Sequence, residues 1–185
     1  MLLNGVRKLN GPATKTGKTG EERGMGVSLR ESVELVADPR KLDASVHEVF
    51  QTMLGLDCRR DDAGVERAPE SVTAVVGFGG MLSGACVFSC PAAAALKIAG
   101  QMTGMEFADV DDTVKDAVGE ICNMVAGSWK GKVPELAAHC GLSVPAVITG
   151  RDYKLHVQAP EFQLRHGFRF DEGVFAVTIV CDGLL

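Results

Sequence analysis

The sequence has no apolar run that approaches the roughly 20 residues needed to span a bilayer. Its N-terminus carries basic residues but lacks the apolar segment of a secretory signal. These two absences predict a cytoplasmic protein that does not insert into a membrane. Basic residues are not in excess either, because the net charge is −5. That balance argues against general nucleic-acid binding.

Metal-binding patterns are also missing. The six cysteines include no CxxC pair and no Cys/His spacing typical of a metal site. In a reducing compartment such cysteines are expected to be buried thiols that behave as small hydrophobic residues. His139, His156 and His166 show no ligand pattern and are expected to be structural or surface residues. The sequence therefore predicts no metal or cofactor site in this chain.

The 185 residues are enough for one domain with a proper core. Residues 1–28 are rich in Gly, Thr and Lys and lack apolar periodicity, which predicts a disordered tail. Residues 29–185 then form the domain. Within the tail, Gly11 to Thr19 resembles a phosphate-binding loop, but it is one residue too long and follows no apolar strand. A nucleotide-binding function is accordingly disfavoured.

Helical and strand patterns alternate in the domain. Asp43 is predicted to cap a first helix whose apolar period includes Met53, and a second helix is predicted from Pro91. A third helix is predicted to follow the capping segment Asp109–Asp112. Val72–Val76 is predicted to be a strand that turns at Gly77–Gly80 and returns as the strand Gly84–Ser89. After the third helix, a loop is predicted through Pro134. The later predicted strands are Val144–Thr149, Tyr153–Gln158, His166–Phe170 and Val174–Cys181. This order predicts an α+β fold with a largely antiparallel sheet covered on one face by long helices.

The third predicted helix carries a polar stripe formed by Asp116, Glu120, Asn123 and Gly127. Their spacing of i, i+4, i+7 and i+11 places them along one helical face. A different face is predicted to point to the core and consists of Val114, Ala117, Val118, Ile121, Val125 and Ser128. Asn is a poor residue for a helix interior, because its amide competes for backbone hydrogen bonds. The stripe is either a solvated face with one suboptimal residue or a functional surface.

The segment from Asp116 to Gly127 resembles the D-x-x-x-E-x-x-N signature of the CheC/CheX/FliY chemotaxis phosphatases, and CheX in particular. In that family about 22 residues lie between the Asn and a proline; here 21 residues lie between Asn123 and Pro145, one fewer than in the family pattern. Val49–Leu54 resembles the first CheX helix, and Val144–Gly150 resembles the strand after the signature helix. The resemblance covers roughly residues 42–182 and implies a CheC/CheX-like fold.

The resemblance also implies a function, which is hydrolysis of the aspartyl phosphate of a CheY-like receiver domain. Asn123 would orient the attacking water, and Glu120 would pair with a lysine of the receiver. An amide carries both a donor and an acceptor and can hold a water in one orientation. The receiver would supply Mg²⁺. Asp116 would position its neighbours, and Gly127 would either leave room for the partner or pack closely within the domain.

Two alternatives stay open at this stage. The same fold is compatible with a non-catalytic module that binds a receiver domain or a motor or signalling component without hydrolysing phosphate. The family also implies a homodimer formed through sheet edges, for which Val174–Cys181 is the predicted strand.

Overall fold

The computed structural model describes residues 36–63, 70–151, 153, 161–171 and 173–184 of the chain. Several predicted features lie outside these residues: the tail over residues 1–28 with its Gly11–Thr19 segment, the boundary before residue 29, and His156. Most of the predicted strand Tyr153–Gln158 lies outside them as well, so all of these features stay predictions. Among the described helices, none is both long enough and apolar enough to cross a membrane.

Four α-helices are described: α1 (Pro39–Val49), α2 (Ala92–Thr103), α3 (Asp112–Gly131) and α4 (Pro134–His139). Helix α1 continues directly into a π-helical turn, Phe50–Leu54. The prediction that Asp43 caps α1 is wrong. The helix begins at Pro39, whose fixed φ suits the first helical position, and the Asp38 side chain accepts a hydrogen bond from the Arg40 N–H at 3.0 Å.

The strands form one sheet: β1 (Cys58–Arg60), β2 (Glu70–Gly80), β3 (Leu82–Pro91), β4 (Cys140–Leu142), β5 (Ala146–Arg151), β6 (Phe162–Phe170) and β7 (Gly173–Leu184). Their order is β1-β6-β7-β3-β2-β4, and β5 pairs with β2 beside β4. Each described pairing is antiparallel. The predicted α+β fold with a largely antiparallel sheet is confirmed.

The core lies between the sheet and the helices. On β2, the alternating residues Val72, Ala74, Val76 and Phe78 are buried, as expected for the covered face of a sheet. Helix α3 packs against this strand and lies between α1 and α2. The ring of Phe50, at the end of α1, stacks on Phe175 with centroids 4.5 Å apart. Because α3 packs on β2 between α1 and α2, the core fixes the position of the helix that carries the polar stripe.

The strand predicted at Val174–Cys181 exists, but its proposed role at a sheet edge is wrong. It belongs to β7, which pairs with β6 on one side and β3 on the other. The backbone hydrogen-bonding groups on both sides of β7 are therefore already paired within the sheet. The homodimer stays a prediction, and a dimer that extends the sheet would need an outer strand such as β1 or β5.

Two connections also differ from the predictions. The glycine-rich segment Gly77–Gly80 continues β2, because its end pairs with β4, and the chain reverses only at Gly80 and Met81. The region around Pro134 is not the predicted loop but forms α4, with the proline in the first turn. This helix leads directly into β4, which borders the functional surface described below.

The described cysteines and histidines agree with structural roles. All six cysteines are free and buried, and burial raises the pKa of Cys90 to about 12. The buried ring of His166 on β6 places Nδ1 2.6 Å from Oδ1 of Asp43. This contact ties α1 to the sheet.

Candidate functional site

Helix α3 is built to hold the polar stripe rigidly. Asp111 caps its N-terminus by accepting a hydrogen bond from the Val114 N–H at 2.9 Å. At the other end, the Lys130 ammonium donates to the carbonyl of Cys140 at 2.6 Å and to that of Ala137 at 3.1 Å. A cation in the last turn also complements the helix dipole. The N-terminus of the helix is therefore capped locally, and its C-terminal end is attached to α4 and β4.

The four stripe residues lie where the helical spacing predicts. Asp116 and Glu120 are exposed, while Asn123 and Gly127 are half-buried. The predicted core side is buried except at Ser128, which is half-exposed and donates to Oε2 of Glu48 at 3.0 Å. In the described part of the chain, the amide of Asn123 and the carboxylate of Glu120 have no hydrogen-bond or ion-pair partner. A free amide and a free carboxylate thus stand one helical turn apart, toward solvent.

Helix α1 forms one wall beside this stripe. Glu48 accepts hydrogen bonds from Ser128 and, at 2.5 Å, from the Lys132 ammonium, which join α1 to the end of α3. These two donors lower the pKa of Glu48. Between the helices lies an open groove of about 430 Å³, whose lining includes Glu48, Thr52, Met53, Asn123, Gly127 and Leu142.

Leu142 at the end of β4 also lines this groove, and the connection from β4 to β5 that follows it forms a second wall beside α3, where Pro145 packs. Ser143 fixes this connection to β2, because its backbone N–H donates to the Gly77 carbonyl and its Oγ accepts from the Gly77 N–H, both at 2.9 Å. Pro145 packs on α3 at Gly119, where an added Cβ would lie 3.3 Å from the proline Cβ. The absence of a side chain at Gly119 therefore allows this wall to approach the helix next to Glu120.

The chemistry of this surface is that of an amide and a carboxylate rather than of a metal centre. Within the described residues, no group of three or more His, Cys, Asp or Glu side chains could hold a metal ion. The amide can orient a water, and the carboxylate can form a charge-assisted hydrogen bond with an ammonium group. Glu120 is exposed and Asn123 lines the groove, so both groups are accessible to another molecule.

Comparison with known proteins identifies the family. The model of the chemotaxis phosphatase CheX family matches residues 72–166. The chain is also 31% identical over 118 residues to the CheY-P phosphatase CheX of Thermotoga maritima, covering 62% of this chain and 76% of that protein. The chain belongs to the CheX family. It is therefore a phosphatase by family, as the signature in α3 predicts.

Solved structures share the fold of this CheX-family protein. CheX from Vibrio vulnificus matches with a TM-score of 0.66 and 23% identity, covering 79% of this chain and 97% of that one. A complex of CheX, CheY, BeF3 and Mg²⁺ from Borrelia burgdorferi matches with a TM-score of 0.62 and 21% identity. That match covers 78% of this chain and 97% of that one.

The polar stripe predicted from the sequence supplies the floor of the groove but not its walls. Asn123 and Gly127 line the groove, whereas Glu120 and Asp116 lie on the exposed face outside it. Met53 belongs to the predicted apolar period of the first helix, yet its side chain is 44% exposed and lines the groove. A π-helical turn has i→i+5 hydrogen bonds and shifts the side chains relative to a 3.6-residue period. The apolar pattern alone could not reveal that shift.

Gly127→Ala is expected to separate stability from function in this CheX-family protein. An added Cβ would lie 3.9 Å from Leu142 Cδ1, an ordinary contact. Replacing a helical glycine by alanine should therefore raise the free energy of unfolding by about 0.5–1 kcal/mol. The methyl group would also reduce the depth of the groove, and binding of a partner there should weaken. Thermal unfolding and partner affinity measure the two effects, with Gly131→Ala, which has open space around it, as the control.

Proposed function

We propose that this protein dephosphorylates the aspartyl phosphate of a CheY-like response regulator. Family membership and the named activity of the Thermotoga relative support this substrate class. The observation that carries the proposal is the pair of unpartnered polar groups on α3. Glu120 and Asn123 are accessible on a helix that is capped by Asp111 and attached to β4 at its C-terminal end.

The proposed mechanism divides the chemistry between two proteins. Phosphoryl transfer needs an in-line water and neutralisation of charge, with little covalent chemistry from the catalyst. The Asn123 amide would enter the receiver's site and orient that water. Glu120 would pair with a receiver lysine and so hold the two proteins in register. The receiver would supply Mg²⁺ and most contacts to the phosphoryl group.

Asp116 and Gly127 have supporting roles in this proposal. Asp116 is exposed one turn before Glu120 and would bias the face toward a basic partner. Gly127 would leave room for the partner beside Asn123, because a Cβ there meets only Leu142 at 3.9 Å. The cytoplasmic location remains a proposal that rests on the sequence, and the homodimer remains a proposal that rests on the family.

Glu120→Ala tests the division of roles. Because the partner of Glu120 is a lysine rather than the water, this change should weaken receiver binding as well as lower the rate of hydrolysis. The measurements are receiver affinity by titration calorimetry and decay of the phosphorylated receiver. Asp116→Asn, at another exposed carboxylate of the same helix, is the matched control and should have a smaller effect on both. Equal affinities of the parent and Glu120→Ala would exclude the proposed lysine contact.

The decay of the phosphorylated receiver also distinguishes a phosphatase from the alternative, a non-catalytic binding module. A module that only binds would form a complex with the receiver without accelerating loss of phosphate. A phosphatase would accelerate that loss with each molecule acting many times.

A further inference from the structure

We infer that Met53 and Val144, which flank the polar stripe, form the apolar contacts that hold a receiver domain over Asn123. This inference rests on the proposed function and adds the surface on which its substrate docks. Met53 lies on the wall formed by α1, and Val144 lies in the connection between β4 and β5. Both are residues that the proposed chemistry does not use.

The π-helical turn is the first observation behind this inference. In Phe50–Leu54, the first and last side chains are buried, while Thr52 and Met53 between them are exposed. Such turns are rare and are frequently found at functional sites. Here the turn directs a flexible apolar side chain into the groove that Asn123 also lines. Methionine is enriched at the centres of protein interfaces, where its flexible chain adapts to a partner.

Val144 provides the second observation. Its side chain is 86% exposed, although it is a β-branched apolar residue. The backbone on both sides of it is fixed, because Ser143 is hydrogen-bonded to Gly77 and Pro145 packs on Gly119. A valine held rigidly in solvent loses little entropy when a partner covers it. Its wall approaches α3 next to Glu120.

The positions of both residues around α3 point to a single occupant. Asn123 lines the groove together with Met53, and the connection that carries Val144 packs on α3 at Gly119, one turn before Asn123. A protein that reaches the amide therefore approaches both residues. The occupant is therefore the receiver's surface around its phosphorylated aspartate, and we expect apolar side chains there to contact Met53 and Val144. Apolar contacts around a polar centre also exclude water from the reacting groups.

The test compares Met53→Gln and Val144→Gln with Met105→Gln as a matched control. Met105 is 58% exposed but lines a separate hollow with residues such as Leu96 and Phe107. The probe is a CheY-like receiver domain from the same genome, loaded with beryllofluoride and Mg²⁺ for binding or phosphorylated for turnover. Met53→Gln and Val144→Gln should each raise Kd and KM about fivefold and leave kcat within about twofold, and the double variant should raise Kd and KM about twentyfold. Met105→Gln should change none of them.

The outcomes separate this inference from the proposed function. If Met53→Gln and Val144→Gln each change Kd by less than twofold, as is expected of the control, the proposed docking surface is overturned even when the parent is an active phosphatase. A fall in kcat without a change in Kd would also overturn it. A parent that binds the beryllofluoride form without hydrolysing the phosphorylated form contradicts only the catalysis, and the Kd comparison still decides the docking surface. A parent that binds no receiver overturns both.

Discussion

Asn123→Ala should reduce the rate of receiver dephosphorylation by roughly 10²–10³, equivalent to about 2–4 kcal/mol of transition-state stabilisation. The reason is that the change removes the amide that, in the proposed mechanism, orients the attacking water. The fold should be intact, because Asn123 is half-buried and its amide bonds to nothing else in the described part of the chain. Alanine is also the better helix former, so the free energy of unfolding should stay equal or rise slightly.

The measurement for this variant is decay of the phosphorylated receiver at equal protein concentrations, together with the melting temperature. Gln101→Ala is the matched control, because it removes another exposed amide from a helix, in this case α2. The control should retain the parent rate. Receiver affinity of Asn123→Ala should change much less than the rate, since the proposed target of the amide is the water. A variant as fast as the parent would exclude Asn123 as the catalytic group and favour the non-catalytic binding module.

Gly84→Ala is expected to destabilise the protein strongly. Gly84 has a φ of +156° at the point where the register between β3 and β7 shifts. An added Cβ would overlap the carbonyl oxygen of Val180 on the neighbouring strand. Because that atom belongs to a paired backbone, it cannot move without breaking the ladder. We expect a loss of about 3–5 kcal/mol in the free energy of unfolding.

A loss of that size corresponds to a fall of about 6–20 °C in melting temperature for a chain of this length. The control is Gly79→Ala on β2, where φ is not positive and a Cβ meets no atom within 4 Å. It should change the melting temperature by no more than a few degrees. Gly84→Ala with the stability of the control would show that the strands can separate locally at this bulge.

The signature helix was predictable because all of its determinants are local. Asp111 lies in the predicted capping segment, and the 3.6-residue period correctly places Glu120 and Asn123 on a different face from the core. A core position and a surface position are distinguished there by spacing alone. Only Ser128 is wrongly predicted to lie on the core face. Its position fits the apolar spacing of the helix because it lies at the border between the core face and the exposed face.

The rest of the site depends on contacts between distant segments. Glu48 lines the groove and bonds Lys132, 84 positions further along the chain, which joins α1 to the end of α3. No local pattern encodes that pair. The exposure of Met53 follows from the π-helical turn, whose hydrogen bonds the apolar period does not predict.

The central place of β7 in the sheet is likewise beyond local reasoning. Its alternation predicts a strand, but alternation does not say how many neighbours a strand has. Pairing with both β6 and β3 is set by the topology of the whole chain.

The most direct test of the central claim is the decay of a phosphorylated CheY-like receiver mixed with the protein at about one-twentieth of its concentration. The receiver is phosphorylated with acetyl phosphate in the presence of Mg²⁺, the excess donor is removed, and the remaining aspartyl phosphate is followed with time. If the face formed by Glu120 and Asn123 is catalytic, all of the phosphate is lost faster than from the receiver alone, so each molecule acts many times. Decay at the receiver's own rate, in a mixture where complex formation is demonstrated, would contradict the account.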